Sequence, residues 1–144
     1  MRGFAALALL VLALPAAAGE FRSIAENGTL MYDAPSVRAK KLFVASRYYP
    51  VEVVINIDAW VKVRDQAGDL SWVEKKALSD KRTVVVTAPS AEVRQAPSDV
   101  AAIAFQAQRG VAFDLADAPA NGWIKVRHAD GQVGYVKISQ VWGL

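Results

Sequence analysis

The chain has no cysteine and a single histidine, His128, among its 144 residues. Without thiols there is no disulfide framework, no thiolate nucleophile and no attachment point for a lipid, so the fold must be held by its core alone. One histidine and no cysteine also leave no set of ligands for a structural zinc. His128 has no nucleophile motif on either side, which argues against hydrolase chemistry of the serine type. Asp114 and Asp117 stand three apart on a strand and turn, a spacing that reads as surface charge rather than as a glycosidase pair facing across a cleft. No segment after residue 18 carries a helical stripe of apolar residues.

Charge is equally spare. There are 17 Lys and Arg against 14 Asp and Glu. Removal of Arg2 with a leader would lower the basic count to 16, giving a net charge of +2. That balance does not suggest a nucleic-acid ligand, which usually selects a strongly basic face. The clusters Arg38, Lys40, Lys41, then Lys75-Lys76, then Lys81-Arg82 read either as solvated charge or as a weak attraction for anionic polymer.

What is present begins with a hydrophobic run. From Phe4 to Ala18 no side chain is charged or polar, Arg2 precedes the run, and Ala16-Ala17-Ala18 supplies small residues for a cleavage site. This is the order of a secretory signal peptide. A membrane span needs about 20 apolar residues, and Pro15 and Gly19-Glu20 cut this one short. The reading is a signal peptide over 1–18 cleaved after Ala18, a periplasmic product and no membrane span thereafter. An uncleaved anchor is the alternative.

The remaining residues repeat. Trp60-Val61-Lys62-Val63-Arg64 aligns with Trp123-Ile124-Lys125-Val126-Arg127 at an offset of 63, and Gly68, Trp72 and Val73 then fall on Gly131, Tyr135 and Val136. Upstream, Ala34-Pro35-Ser36 aligns with Ala96-Pro97-Ser98 and Arg47 with Arg109 at an offset of 62, which places one extra residue within 116–122 of the second copy. The polar stretch Ser79-Asp80-Lys81-Arg82 divides the copies into 19–80 and 81–144. A junction this short implies units in contact.

Both copies read as strands. Val61 and Val63 alternate with Lys62 and Arg64, and Ile124 and Val126 with Lys125 and Arg127, the period of a half-buried strand. Asn121-Gly122, Asp130-Gly131 and Ala67-Gly68-Asp69 supply turn chemistry. Further strands are expected over 29–32, 41–45, 50–56, 91–94, 103–106 and 111–115, and the β-branched run 83–87 opens the second copy. Short strands at this spacing predict an all-β chain of two small five-stranded barrels.

The second copy carries Ala91-Glu92-Val93-Arg94, a proline at 97, Arg109-Gly110-Val111, Gly122-Trp123-Ile124-Lys125-Val126 and Gly131-Gln132-Val133-Gly134-Tyr135-Val136. In order and spacing this resembles the bacterial SH3 (SH3b) family, whose pattern runs N-V-R, a proline loop, G-W-x-x-V and G-x-x-G-W-V. Glu92 stands for the asparagine and Tyr135 for the second tryptophan. The first copy departs further, with Met31-Tyr32, Ala59 before Trp60 and Ser71 before Trp72. The resemblance spans 21–144 and implies two tandem SH3-like barrels outside the inner membrane that bind cell-wall or other peptides without chemistry or cofactor.

Candidate ligand residues follow from equivalence. Trp60, Trp72, Trp123 and Tyr135 occupy matching places, and Trp60 and Trp123 share a strand face with the lysines opposite the valines, which predicts partial exposure. They read either as the aromatic floor of a peptide groove or as packing residues. Tyr32 in the first copy and Arg94 in the second flank the proline-bearing loops that correspond to the groove-lining loop of SH3-like folds. The expected partner is peptidoglycan or a peptide in the envelope, and the rival expectation is a scaffold for a protein such as a wall hydrolase.

Overall fold

A computed structural model describes residues 19–144. The leader expected over 1–18 lies outside the described residues. The first sheet is built from β1 (Glu20–Ile24), β2 (Thr29–Tyr32), β3 (Lys41–Ala45), β4 (Pro50–Ile57), β5 (Trp60–Arg64), β6 (Leu70–Glu74) and the two-residue β7 (Leu78–Ser79). The second sheet comprises β8 (Thr83–Val86), β9 (Ser90–Arg94), β10 (Ile103–Gln108), β11 (Ala112–Leu115), β12 (Trp123–Arg127), β13 (Val133–Lys137) and β14 (Val141–Trp142). Strand order is β3-β2-β6-β5-β4-β1-β7 in one and β10-β9-β13-β12-β11-β8-β14 in the other, the same path twice. Among the described residues the only helical pieces are single 3-10 turns, Lys75–Ala77 and Ile138–Gln140. Among the described residues no helix is long and apolar enough to cross a membrane.

Each sheet has seven strands where five were expected. The additions are an opening strand and a two-residue strand that pairs with it across the closing 3-10 turn. In the first copy the opening strand Glu20-Phe21-Arg22-Ser23-Ile24 has too little apolar regularity to announce itself.

Alternation places the valines inside. Ile24, Met31, Val51, Val61, Val63 and Val73 form one core. Val84, Val86, Val93, Phe113, Ile124, Val126, Val136 and Val141 are among those forming a second. Burial of a valine side chain contributes roughly 1.5–3 kcal/mol, so each unit holds itself together without covalent aid.

The hairpins differ where the repeat offset changes. In the first copy β4 runs straight into β5 through Asp58-Ala59. In the second, β11 stops at Leu115 and a seven-residue loop, 116–122, intervenes. Ala120 and Trp123 exchange both backbone hydrogen bonds, at 2.9 and 3.0 Å. Asn121 (φ 54°) and Gly122 (φ 82°) therefore form a primed two-residue turn that only residues tolerant of positive φ can make.

The two units are docked. Val84 and Val86 face the second core, so Thr83 and Val85 must face away, yet both are only 1% exposed. Their face lies against the first unit. The Thr83 hydroxyl donates to the Tyr48 carbonyl at 2.6 Å, and Ser23 Oγ donates to the Lys81 carbonyl at 2.8 Å. Phe21 meets Trp142 edge to face, ring centroids 5.2 Å apart, with the Arg82 guanidinium 5.4 Å from the Phe21 ring. A run buried on both faces needs β-branched residues throughout, which explains Thr83-Val84-Val85-Val86.

The Lys81-Arg82 pair is thereby accounted for without an external polymer. Lys81 pairs with Asp114 at 3.0 Å, and Arg82 donates to the Gly143 carbonyl at 3.0 Å. Lys81 also lies 5.1 Å from the Tyr48 ring and Arg82 5.4 Å from that of Phe21, so both cations reach the first unit.

Candidate functional site

In an antiparallel hairpin, residues equidistant from the turn face each other. Trp123 is opposite Lys137 and Lys125 opposite Tyr135, while Tyr135 also pairs with Arg94 on the neighbouring strand. Trp123 and Tyr135 consequently lie on one face of the sheet, half-buried, on the side away from the valines. The loops that carry Pro97 and Asp117–Asn121 rise on either side. Together with Lys125 they enclose a groove of about 160 Å³ floored by Trp123 and Tyr135.

Trp123 also borders a smaller polar recess lined by Glu92, Arg94, Asp99, Lys137 and Gln140. Arg94 is held there by Glu92 and by donation to the Ala101 carbonyl at 2.8 Å. The Lys137 ammonium sits 5.8 Å from the Trp123 ring centroid and 2.6 Å from an Asp99 oxygen. Its hydrogen bond holds the Asp99 carboxyl below the usual aspartate range. The rim therefore presents fixed charge of both signs around an indole face.

The matching residues of the first copy are arranged differently. Trp60 faces Glu74 across β5 and β6, and Trp72 faces Lys62 and Tyr32. Tyr32, in the place of Arg94, is 5% exposed and its ring meets Trp60 edge to face at 5.5 Å. The indole that borders a groove and a recess in the second copy meets the edge of a phenol in the first, though both indoles are half-buried. The two-residue turn at Asp58-Ala59 also supplies no wall comparable to 116–122.

Lys137 was not singled out from the sequence. Its position opposite Trp123 follows from centring the β12–β13 hairpin on Asp130, so the signal was there in the turn. Among the described residues no three of His, Asp and Glu gather as metal ligands.

Comparison with known proteins now bears on this geometry. The family model for the bacterial SH3 domain matches residues 25–80 and again 87–143. The chain belongs to the bacterial SH3 domain family. Each bacterial SH3 match falls on one sheet, so the all-β fold consists of two SH3-like units in tandem. No curated protein matches the sequence. Among solved structures, NlpC2 from Trichomonas vaginalis is similar at 14% identity and a TM-score of 0.38, over 87% of this chain and 48% of that one. An NlpC/P60 family protein from Bacillus cereus is similar at 16% identity and a TM-score of 0.40, over 85% and 55%. The chain thus spans about half the length of these structures.

Proposed function

We propose that the protein is an exported, non-catalytic binding module of the cell envelope, and that the groove of the second domain takes a peptide, in the first instance a stem peptide of peptidoglycan. Bacterial SH3 domains are cell-wall-binding modules, and membership of that family supports the compartment and the class of ligand. The observation that carries the reading is the pairing of Trp123 and Tyr135 on the floor of a walled groove with Pro97 and Lys125 at its sides. Aromatic floors with one wet edge suit extended peptides, because rings give area at little entropic cost while the rim satisfies amides. The hydrophobic run before Gly19 supports export.

The test is co-sedimentation of the secreted protein with purified sacculi. Trp123→Ala should abolish retention while leaving a folded protein, and Trp60→Ala should leave most of it. Retention untouched by Trp123→Ala would overturn the groove assignment.

A second reading, a scaffold for an envelope protein, is favoured by a different surface. Edge strand β3 exposes Leu42, Phe43 and Val44 in succession, Val44 at 69%. Failure to sediment with sacculi, combined with loss of a co-purifying partner on Val44→Lys, would favour this reading over the first.

A further inference from the structure

Each sheet curls round without closing. Strands β10 and β11 follow one another through Arg109-Gly110-Val111, yet β10 pairs only with β9, and β11 only with β8 and β12. A seam is left between the edge of β10 and the β12–β13 turn. In the second domain it is a cleft of about 430 Å³. Phe105, Val111, Phe113 and His128 form its floor, and Gln106 and Asp130 are among the rim residues. The three rings lie within 5.7 to 6.3 Å of one another.

The first domain shows what belongs in such a seam. The residue equivalent to Val111, 62 positions earlier, is Tyr49. Its ring packs against the first core, and its phenol lies near enough to Asp65 and Gln66 of the β5–β6 turn, the counterpart of the turn at 128–132, to be perturbed by them. Burial first, and the Asp65 carboxylate second, push that phenol above the ordinary tyrosine range. The same chain thus contains one seam plugged by a tyrosine and one in which the plug has become a valine.

We infer that the open seam of the second domain is a binding site, distinct from the Trp123 groove, for a tyrosine side chain presented by a peptide in trans. The ring would lie among Phe105, Phe113 and His128 as Tyr49 lies on the first core. The phenol would point to the turn, where Asp130 Oδ1 is taken up by the Gln132 N–H and His128, while Oδ2, accepting only from Gln132 Nε2, keeps capacity for a second donor. A volume near 430 Å³ exceeds one ring and falls within the roughly 300–1,000 Å³ of ligand sites, leaving room for flanking backbone. That backbone would run beside β10, whose outer edge is unpaired. Main-chain pairing with a side chain in a pocket is an established mode of peptide capture.

The experiment titrates N-acetyl-L-tyrosine amide into the secreted, isotope-labelled protein and follows amide resonances. Saturable shifts at Gln106, Val111 and His128, with transferred contacts from the probe ring to Phe105 and Phe113, are expected. Val111→Tyr, which restores the plug in cis, should weaken binding at least tenfold, and Phe105→Leu several-fold. Trp123→Ala should leave it unchanged, so loss of wall binding and loss of this site are separately visible. No saturable shift at the seam, equal binding of N-acetyl-L-alanine amide, or unaltered affinity in Phe105→Leu would each overturn the inference. Should Val111→Tyr fail to fold, the ring contacts and Phe105→Leu decide the matter.

Discussion

The two domains share a strand path and differ in where they are open. The first covers its indole with Tyr32 and plugs its seam with Tyr49. The second has Arg94 and Val111 at those places, and gains a seven-residue loop beside Trp123. Two tyrosines and one loop therefore separate a unit whose indole and seam are met by its own tyrosines from one in which an aromatic-floored groove and a seam stand open, although the first unit has polar hollows of its own beside Tyr48 and Tyr32. In a duplicated chain the fold is set by the valines common to both halves, whereas a site is set by the few positions at which large residues are withdrawn.

The strongest way to break this comparison is to force one domain's packing on the other. Gly134 has no room for a side chain, since a Cβ would meet Val93 Cγ1 at 2.6 Å and the Arg94 carbonyl at 2.8 Å. The first copy has Ser71 there, buried, and on the neighbouring strand the unbranched Met31 in place of Val93. Gly134→Ser should cost the second domain about 3 kcal/mol in denaturant unfolding. Adding Val93→Met should recover at least half. If the double variant is no more stable than the single one, the Met31–Ser71 pair is not the reason that the first copy accepts its serine.

Next in size is the junction. Thr83→Val keeps shape but leaves the Tyr48 carbonyl without its donor at a buried contact, a loss of about 2 kcal/mol. Because donor and acceptor belong to different domains, probes in both should report the change. Movement confined to the second domain would show that docking does not couple them.

A smaller effect separates two equivalent backbone positions. Tyr48 (φ 72°) and Gly110 (φ 90°) both sit in the left-handed region. Gly110→Ala, with open space around its Cβ, should cost about 1 kcal/mol for conformational reasons alone. Tyr48→Gly should change stability by less than about 1 kcal/mol, because relief of the same strain is offset by loss of a ring that lies under Arg47 and Lys81. A large loss at Tyr48 would mean that the ring does more at the junction than these two contacts.

The smallest effect is one of pH. The backbone N–H of Gln132, more than the neighbouring His128, holds the Asp130 carboxyl below its ordinary value of 3.8. A depressed folded value means that this support is complete above the unfolded value and is lost as pH falls through the lower, folded one. The Gln132 amide resonance should therefore titrate with a midpoint below 3.8, and Asp130→Asn should remove that step. A midpoint at or above 3.8 would contradict the hydrogen-bond geometry of the turn.

Much of the fold was legible because its signals are local. Val61, Val63, Ile124 and Val126 alternate in strict period, and the extra residue of the second copy showed itself as a change of offset within 116–122. The strands expected over 29–32 and 41–45 are found at those bounds. The opening strand at Glu20–Ile24 escaped because Arg22 and Ser23 carry no regular apolar pattern, their partners being supplied by the junction instead. Of the candidate ligand residues, Trp123 and Tyr135 come together on one floor, Arg94 lies in the adjoining recess, and Tyr32 closes over Trp60 while Trp72 pairs beside it. That division depends on what sits across the strand, which spacing alone does not reveal. The seam was invisible for a related reason. Tyr49 and Val111 are aligned plainly enough, but only the curl of the sheet shows that each faces a gap.

One consequence of the junction concerns measurement rather than strength. The strand β8 spends both faces, one on its own core and one on its neighbour, so no slack chain separates the halves. Whatever the two domains touch, they touch at a separation fixed by Thr83, Phe21 and Trp142. A pair of flexibly tethered modules would tolerate any spacing along a polymer. This pair has no such freedom: the open side of the second domain is presented at one setting relative to the first, like a tool clamped in its handle.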